Sequence, residues 1–447
     1  MIFKGFSASV LLLISALSMA APEPFGSSIL AQERLFTIQG SNTIGAELGP
    51  NLVKSYLEAK GAKNVAVQVS AENETLVSGL ISATGQTVSV LIAAHGSGTG
   101  FKGLVEHSAD IAAASRPAKD KEVALLAGMA DLHSPESEHI IGIDGLAIIV
   151  NSGNQIADLS VQEIGGIFSG EYQDWSELGG KAGPIHVYAR DDKSGTYDSF
   201  TSMVMGDKSL VANAKRFESN AELSDSVSGD VYGIGFVGLS SVRSAKLVSV
   251  SDGTAKSLLP NKLTVATEDY ALARRLFMYT DDQPENPYVS EFINFAQDDA
   301  GQQIVADTGF ISQELKAVMP EFYEELPDDF RAITNEAQRL TINFRFQEGS
   351  AKLDNKALKD LERLVAYLAN HKGELVLVGF GDPKKTEKRS QLLSKLRAMA
   401  VRRELVRYGI YPAISVGYGE NLPVASVNGQ EGRMKNRRVE VWVRNAS

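Results

Sequence analysis

The chain has 447 residues, 43% of them hydrophobic and 22% charged, with a formal net charge of −11 and no cysteine. That length holds more than one domain, and the balance is that of ordinary globular protein, neither disordered nor membrane-spanning. The acidic excess argues against generic nucleic-acid binding, and the missing cysteines exclude disulfides, thiolate metal sites, Cys nucleophiles and a lipid-attachment residue.

At the N-terminus, Lys4 precedes an apolar run over residues 10–17 and then Ser18-Met19-Ala20. A basic residue, a short apolar core and small residues at the end make a secretory signal peptide over residues 1–20, cleaved after Ala20. The run is shorter than the roughly 18 residues a spanning helix needs, and no later stretch approaches that length, so an exported protein with no transmembrane segment is expected.

Residues 35–38 read as a strand that runs into Gly40-Ser41-Asn42-Thr43 and then a helix with Leu48, Leu52, Val53, Tyr56 and Leu57. The apolar run 88–93 leads in the same way into Gly96-Ser97-Gly98-Thr99-Gly100 and a helix. Gly98, Gly100 and Gly103 satisfy a G-x-G-x-x-G spacing, but no acidic residue ends a following strand, which sets a dinucleotide site aside. A short strand then ends in Ser115-Arg116-Pro117. Residues 140–150, with Asp144-Gly145 inside, form a continuous apolar run suited to a buried strand crossing between lobes.

The alternation of Ile185 and Val187 predicts a third strand, running into Arg190-Asp191-Asp192-Lys193-Ser194-Gly195-Thr196 and a helix over residues 197–205. Ser194, Gly195 and Thr196 thus stand at a helix start, where backbone N–H groups are free and the dipole is positive. With hydroxyl donors, a glycine that admits close approach and the planar cation of Arg190, this is a seat for an oxyanion. Alone, such a turn reads equally well as a capped surface helix; its repetition favours the seat. Residues 276–279 are expected as the returning crossover strand. Strands alternating with helices predict α/β lobes with mostly parallel sheets. The six histidines show no metal spacing, and no cofactor is expected.

Residues 316–338 are acidic and read as a partly helical linker. A module of about 100 residues follows over residues 339–445. Ile342, Phe344 and Phe346 alternate as a strand, the leucines from Leu358 to Leu368 and from Leu393 to Leu405 follow helical spacing, and Val439, Val441 and Val443 alternate again.

Two resemblances follow from these residues. Gly40 to Thr43, Gly96 to Gly100, Ala114 to Pro117, Asp144 to Val150 and Arg190-x-Asp192-x-Ser194-Gly195-Thr196 resemble, in order and spacing, the periplasmic phosphate-binding proteins of ABC transporters. The resemblance implies a two-lobed, type II-like binding-protein fold over residues 35–315. One lobe covers residues 35–147 and 272–315, the other residues 148–271. It implies phosphate or a similar tetrahedral oxyanion held by Ser41, Asn42, Thr43, Ser97, Arg190, Ser194, Gly195 and Thr196. Ser115, Arg116, Asp144 and Asp192 would stand at or just behind the site, with Asp192 orienting Arg190. Some members carry an aspartate where Arg116 stands, and its carboxylate accepts the proton of hydrogen phosphate, which sulfate lacks. Arg116 cannot accept. Either Asp144 accepts instead, or Asp144 is a hinge turn; Arg116 is alternatively structural, paired with a carboxylate.

The second resemblance is to the OmpA-like peptidoglycan-binding domain, a small α+β sandwich. It is carried by Gly381-Asp382, Leu393-Ser394-x-x-Arg397-Ala398, Gly417-Tyr418-Gly419-Glu420 and Gly432-Arg433-x-x-Asn436-Arg437-Arg438. It implies that Asp382 takes the ammonium and Arg397 the carboxylate of a diaminopimelate stem, with Asn436 and Arg437 supporting the pocket or the fold. Phe380-Gly381 replaces the usual His-Thr, and Ser390 the usual asparagine. Together these features predict a periplasmic phosphate receptor, not an enzyme, tethered to peptidoglycan at the cell wall and outer membrane and partnered by an ABC permease. The alternatives are a wall-linked structural or biofilm protein, and a secreted phosphatase.

Overall fold

One strand, Glu138–Val150, organises the main sheet of the computed structural model, which describes residues 22–25, 34–192, 194–346, 352–428 and 430–445. Both its faces are covered, and Ile141, Leu146, Ile148, Ile149 and Val150 are fully buried, which explains a continuous apolar run in place of alternation. Its first half pairs antiparallel with Ala273–Tyr279, its second with Gly233–Gly238 and Lys246–Leu247. These strands carry one eleven-stranded sheet through two lobes. The expected crossovers are present, but the returning strand begins at Ala273 and so includes Arg274 and Arg275.

In the first lobe Arg34–Gly40 lies parallel to Gln86–Ala93 and to Ile111–Ala114. The expectation of mostly parallel sheets needs correcting at the edge, where Lys63–Ala71, Glu74–Ile81 and Gln86–Ala93 form an antiparallel meander. Lys63–Ala71 lies at the edge of the sheet, largely exposed, so it lacks the apolar alternation that marks a half-buried strand. Helix Leu48–Ala59 buries Leu52, Val53, Tyr56 and Leu57 beneath that sheet. In the second lobe His186–Arg190 lies parallel to Gly233–Gly238 and Lys215–Phe217. The rings of Phe200 and Phe236 stack there at 4.0 Å.

The C-terminal module is a five-stranded sheet in the order Ala317–Val318, Ala337–Arg345, Arg438–Asn445, Gly373–Gly379, Ile414–Gly417. Helices Asn355–Asn370 and Glu387–Arg407 contribute Leu361, Leu364, Ala398, Val401 and Leu405 to one core. Residues 316–338 are partly helical, over Asp328–Ile333, and belong to this module: Phe330 packs on Phe380, Tyr418 and Trp442.

A buried ionic seam joins the module to both lobes. Arg345 donates to Glu268 at 3.0 Å and to the Thr267 carbonyl at 2.9 Å, Arg339 meets Asp269 at 2.5 Å, and Asn343 donates to Asp269 at 2.9 Å. On the other lobe Arg275 meets Asp354 at 2.9 Å, and Asn355 donates to Glu138 at 3.2 Å. Burial pushes the Glu268 and Asp269 carboxyls up, but the surrounding guanidinium groups outweigh it and hold both below their ordinary range. No helix among the described residues is long and apolar enough to cross a membrane, and the expected signal peptide lies outside those residues.

Candidate functional site

Strand Arg34–Gly40 ends in the one-turn helix Asn42–Gly45, and strand His186–Arg190 leads to helix Gly195–Phe200. Ser194 caps the second helix, its Oγ accepting from the Thr196 and Tyr197 N–H groups at 3.2 and 3.4 Å. The two helix starts, one from each lobe, meet across the cleft, where Thr43 Oγ1 donates to the Gly195 carbonyl at 3.0 Å. Only glycine fits at 195, because a Cβ there would overlap the Thr43 backbone.

Between these starts stands Arg274. Its Nη2 donates to Thr43 Oγ1 at 2.7 Å and to the Gly195 carbonyl at 3.4 Å, and its Nε to Asp144 Oδ2 at 3.2 Å. Ser199 Oγ donates to the same Asp144 oxygen at 3.1 Å. Burial pushes the Arg274 guanidinium down from its ordinary value, against the charges of Asp144 and Asp198. It remains a cation, since a guanidinium does not lose its proton in proteins. Ser41 Oγ and Asn42 Oδ1, on the neighbouring turn, are buried with no hydrogen-bond partner. Buried polar atoms are nearly always paired, so two orphans near a buried cation make this turn a candidate for contact with a polar ligand.

The structure brings Ser41, Asn42, Thr43, Ser194, Gly195 and Thr196 together here. Ser97 opens helix Ser97–Val105, and its Oγ accepts from the Ser115 N–H at 3.2 Å. Arg190 is engaged elsewhere, donating to the Phe217 and Glu218 carbonyls at 3.2 and 2.6 Å. Burial pushes its guanidinium down, while Asp191 and Glu47 oppose the shift. The orienting role expected of Asp192 needs correcting: Asp192 is exposed and pairs with Arg216 at 2.5 Å, and the carboxylate beside Arg190 is Asp191, at 3.6 Å. Arg216 arrives from strand Lys215–Phe217, which nothing near Asp192 in the sequence announces. Arg116 takes the structural alternative, forking onto Glu122 with two bonds of 2.8 Å. Arg274 is a member of this cluster that the sequence patterns do not reveal. Its trace there is an arginine doublet opening an otherwise apolar strand.

In the C-terminal module Asp382 is buried at the end of strand Gly373–Gly379. Lys384 Nζ meets its Oδ2 at 2.6 Å, and its Oδ1 is buried without a partner. Burial pushes the Asp382 carboxyl up, but the Lys384 ammonium and the Arg437 charge outweigh it and hold it below its ordinary range. Arg397 donates to the Phe380 carbonyl at 3.1 Å and feels the Asp382 charge. Ser390 Oγ donates to Glu420 at 2.8 Å. Asn436 holds the backbone of Val424 and Ala425, at 2.8 and 3.2 Å, so it supports the fold. Arg437 Nε donates to the Arg433 carbonyl at 3.2 Å.

Residues 54–300 match the family model of a PBP superfamily domain, and residues 345–437 that of the OmpA family. The chain is similar to the phosphate-binding protein PstS of Staphylococcus aureus (strain USA300), with 31% identity over 253 residues, 55% of this chain and 74% of the relative. Its fold is similar to the crystal structure of a possible phosphate binding protein from Planctomyces limnophilus DSM 3776. The TM-score is 0.51 at 26% identity, over 62% of this chain and 92% of the other.

Proposed function

The chain belongs to the PBP superfamily and carries a C-terminal OmpA family domain, and from that premise we propose an exported receptor for inorganic phosphate that is tethered noncovalently to peptidoglycan. The observation that carries the first half is Arg274, a buried cation between two facing helix starts with the unpartnered Ser41 hydroxyl beside it. A dehydrated tetrahedral anion there takes N–H groups and hydroxyls of residues 41–43 and 194–196, in exchange for the Thr43–Gly195 and Thr196–Ser194 bonds they make within the cluster, and charge from Arg274. Charge-assisted hydrogen bonds of this kind offset the lost hydration. Asp144 holds Arg274 in place, and we assign it the role of accepting a phosphate proton. Residues 1–20 direct export to the periplasm, and residues 35–315 form the two lobes. The C-terminal module anchors the protein at the wall through Asp382 and Arg397, and an ABC permease receives the released anion. No covalent step is involved.

The test is calorimetric titration of ligand-stripped protein with phosphate and then sulfate. Heat with phosphate and little with sulfate is the expected result, and Arg274→Ala should remove it, because the change deletes the cation and leaves Asp144 buried and repelling. No heat with either anion would overturn the receptor reading and leave a wall-linked protein that keeps only the shape of the lobes.

A further inference from the structure

The pocket around Asp382 contains an ammonium already. Asp382 is 3% exposed, and its Oδ2 is held by Lys384 Nζ at 2.6 Å, two residues along the same loop. Lys384 keeps 30% of its side chain in solvent, so the ammonium can swing out without unfolding anything. The other carboxylate oxygen, Oδ1, is buried and unpartnered. The partner cation Arg397 has one donor on the Phe380 carbonyl and lies within electrostatic reach of Asp382. The neighbouring acid, Glu420, accepts from Ser390.

We propose that Lys384 is a resident competitor for the ammonium seat, so that this pocket holds its wall ligand by the carboxylate on Arg397 and gains little from the ligand's ammonium. The inference rests on the wall-binding reading above and adds its specificity. A zwitterionic stem end that takes the Oδ2 position of Asp382 must exchange one ammonium for another. The charge at Asp382 is the same before and after, and the net gain is small. A ligand bearing only a carboxylate leaves Lys384 where it is. If Lys384 occupies the seat nine-tenths of the time, apparent affinity for the zwitterion falls about tenfold, because only the unoccupied fraction is competent.

The experiment is co-sedimentation of the full-length protein with diaminopimelate-containing sacculi, competed with free meso-diaminopimelate or with pimelate, which has the carboxylates and no ammonium. Wild type, K384M and the double variant K384M/D382N are compared, with thermal unfolding as the check on folding. K384M should bind sacculi about tenfold tighter than wild type and should be displaced by diaminopimelate far better than by pimelate. Wild type should respond to the two competitors alike, and the double variant should lose the gain. Wild-type binding that K384M leaves equal or weaker overturns the competitor role while wall binding stands. Failure of wild type and K384M alike to sediment overturns wall binding itself, and the competitor role with it.

Discussion

Gly195 places a strict geometric demand on the contact between the lobes. Its missing Cβ is what lets the helix start of one lobe sit on Thr43 of the other, and the Thr43–Gly195 hydrogen bond forms at that contact. Gly195→Ala should therefore hold the lobes apart while each folds normally. The expected outcome is a loss of phosphate affinity of about 100-fold or more, the cost of two or more charge-assisted bonds, with the far-ultraviolet circular dichroism unchanged. At this scale the sequence showed the hydroxyls and glycines of the seat, because each sits in a local strand–turn–helix unit. Arg274 was hidden because its partners, Thr43, Asp144 and Gly195, lie 79 to 231 residues away in the chain. A charged doublet beside Leu276 reads as the end of a strand until the packing shows otherwise.

The elements themselves were more legible than their partners. The crossover strand, the helices behind each glycine-rich turn and the C-terminal strands all announced themselves through continuous or alternating apolar residues. The ionic seam did not, since Glu268 and Asp269 look like a polar turn and Arg339 and Arg345 like the solvent face of a strand. Only the contact between modules makes those arginines inward-facing, at 4% and 6% side-chain exposure. Removing one partner from a buried pair leaves the other uncompensated, so Asp269→Ala should destabilise the protein by about 3–5 kcal/mol. Denaturant unfolding followed by a probe in each module should show both transitions shifting together. A shift confined to the C-terminal module would mean that the seam contributes nothing to the lobes.

For the whole molecule, acid should loosen what the seam holds. Burial, then the Lys359 charge, lowers the His139 imidazole from 6.5 to about 4. The unfolded chain takes up that proton first, so the contribution is complete above pH 6.5 and is lost as pH falls towards 4. Glu268 and Asp269, held below 4.5 and 3.8, contribute fully above those values and lose their share below them. The midpoint of thermal unfolding should fall between pH 7 and 4 and more steeply beneath, and His139→Asn should flatten the upper part of that fall. Arg274 and Arg275, adjacent on strand Ala273–Tyr279, make the same molecule a balance with two pans. One guanidinium rests on Thr43 in the cleft between the lobes and its neighbour on Asp354 of the C-terminal module, with a single peptide between them. A lobe movement that reseats the first is expected to shift the second, since the two share one backbone. By thermodynamic reciprocity, whatever factor bound sacculi impose on phosphate affinity, bound phosphate must impose on sacculus affinity. Under the proposed function, anchorage is then not a passive leash but the second reading on one scale.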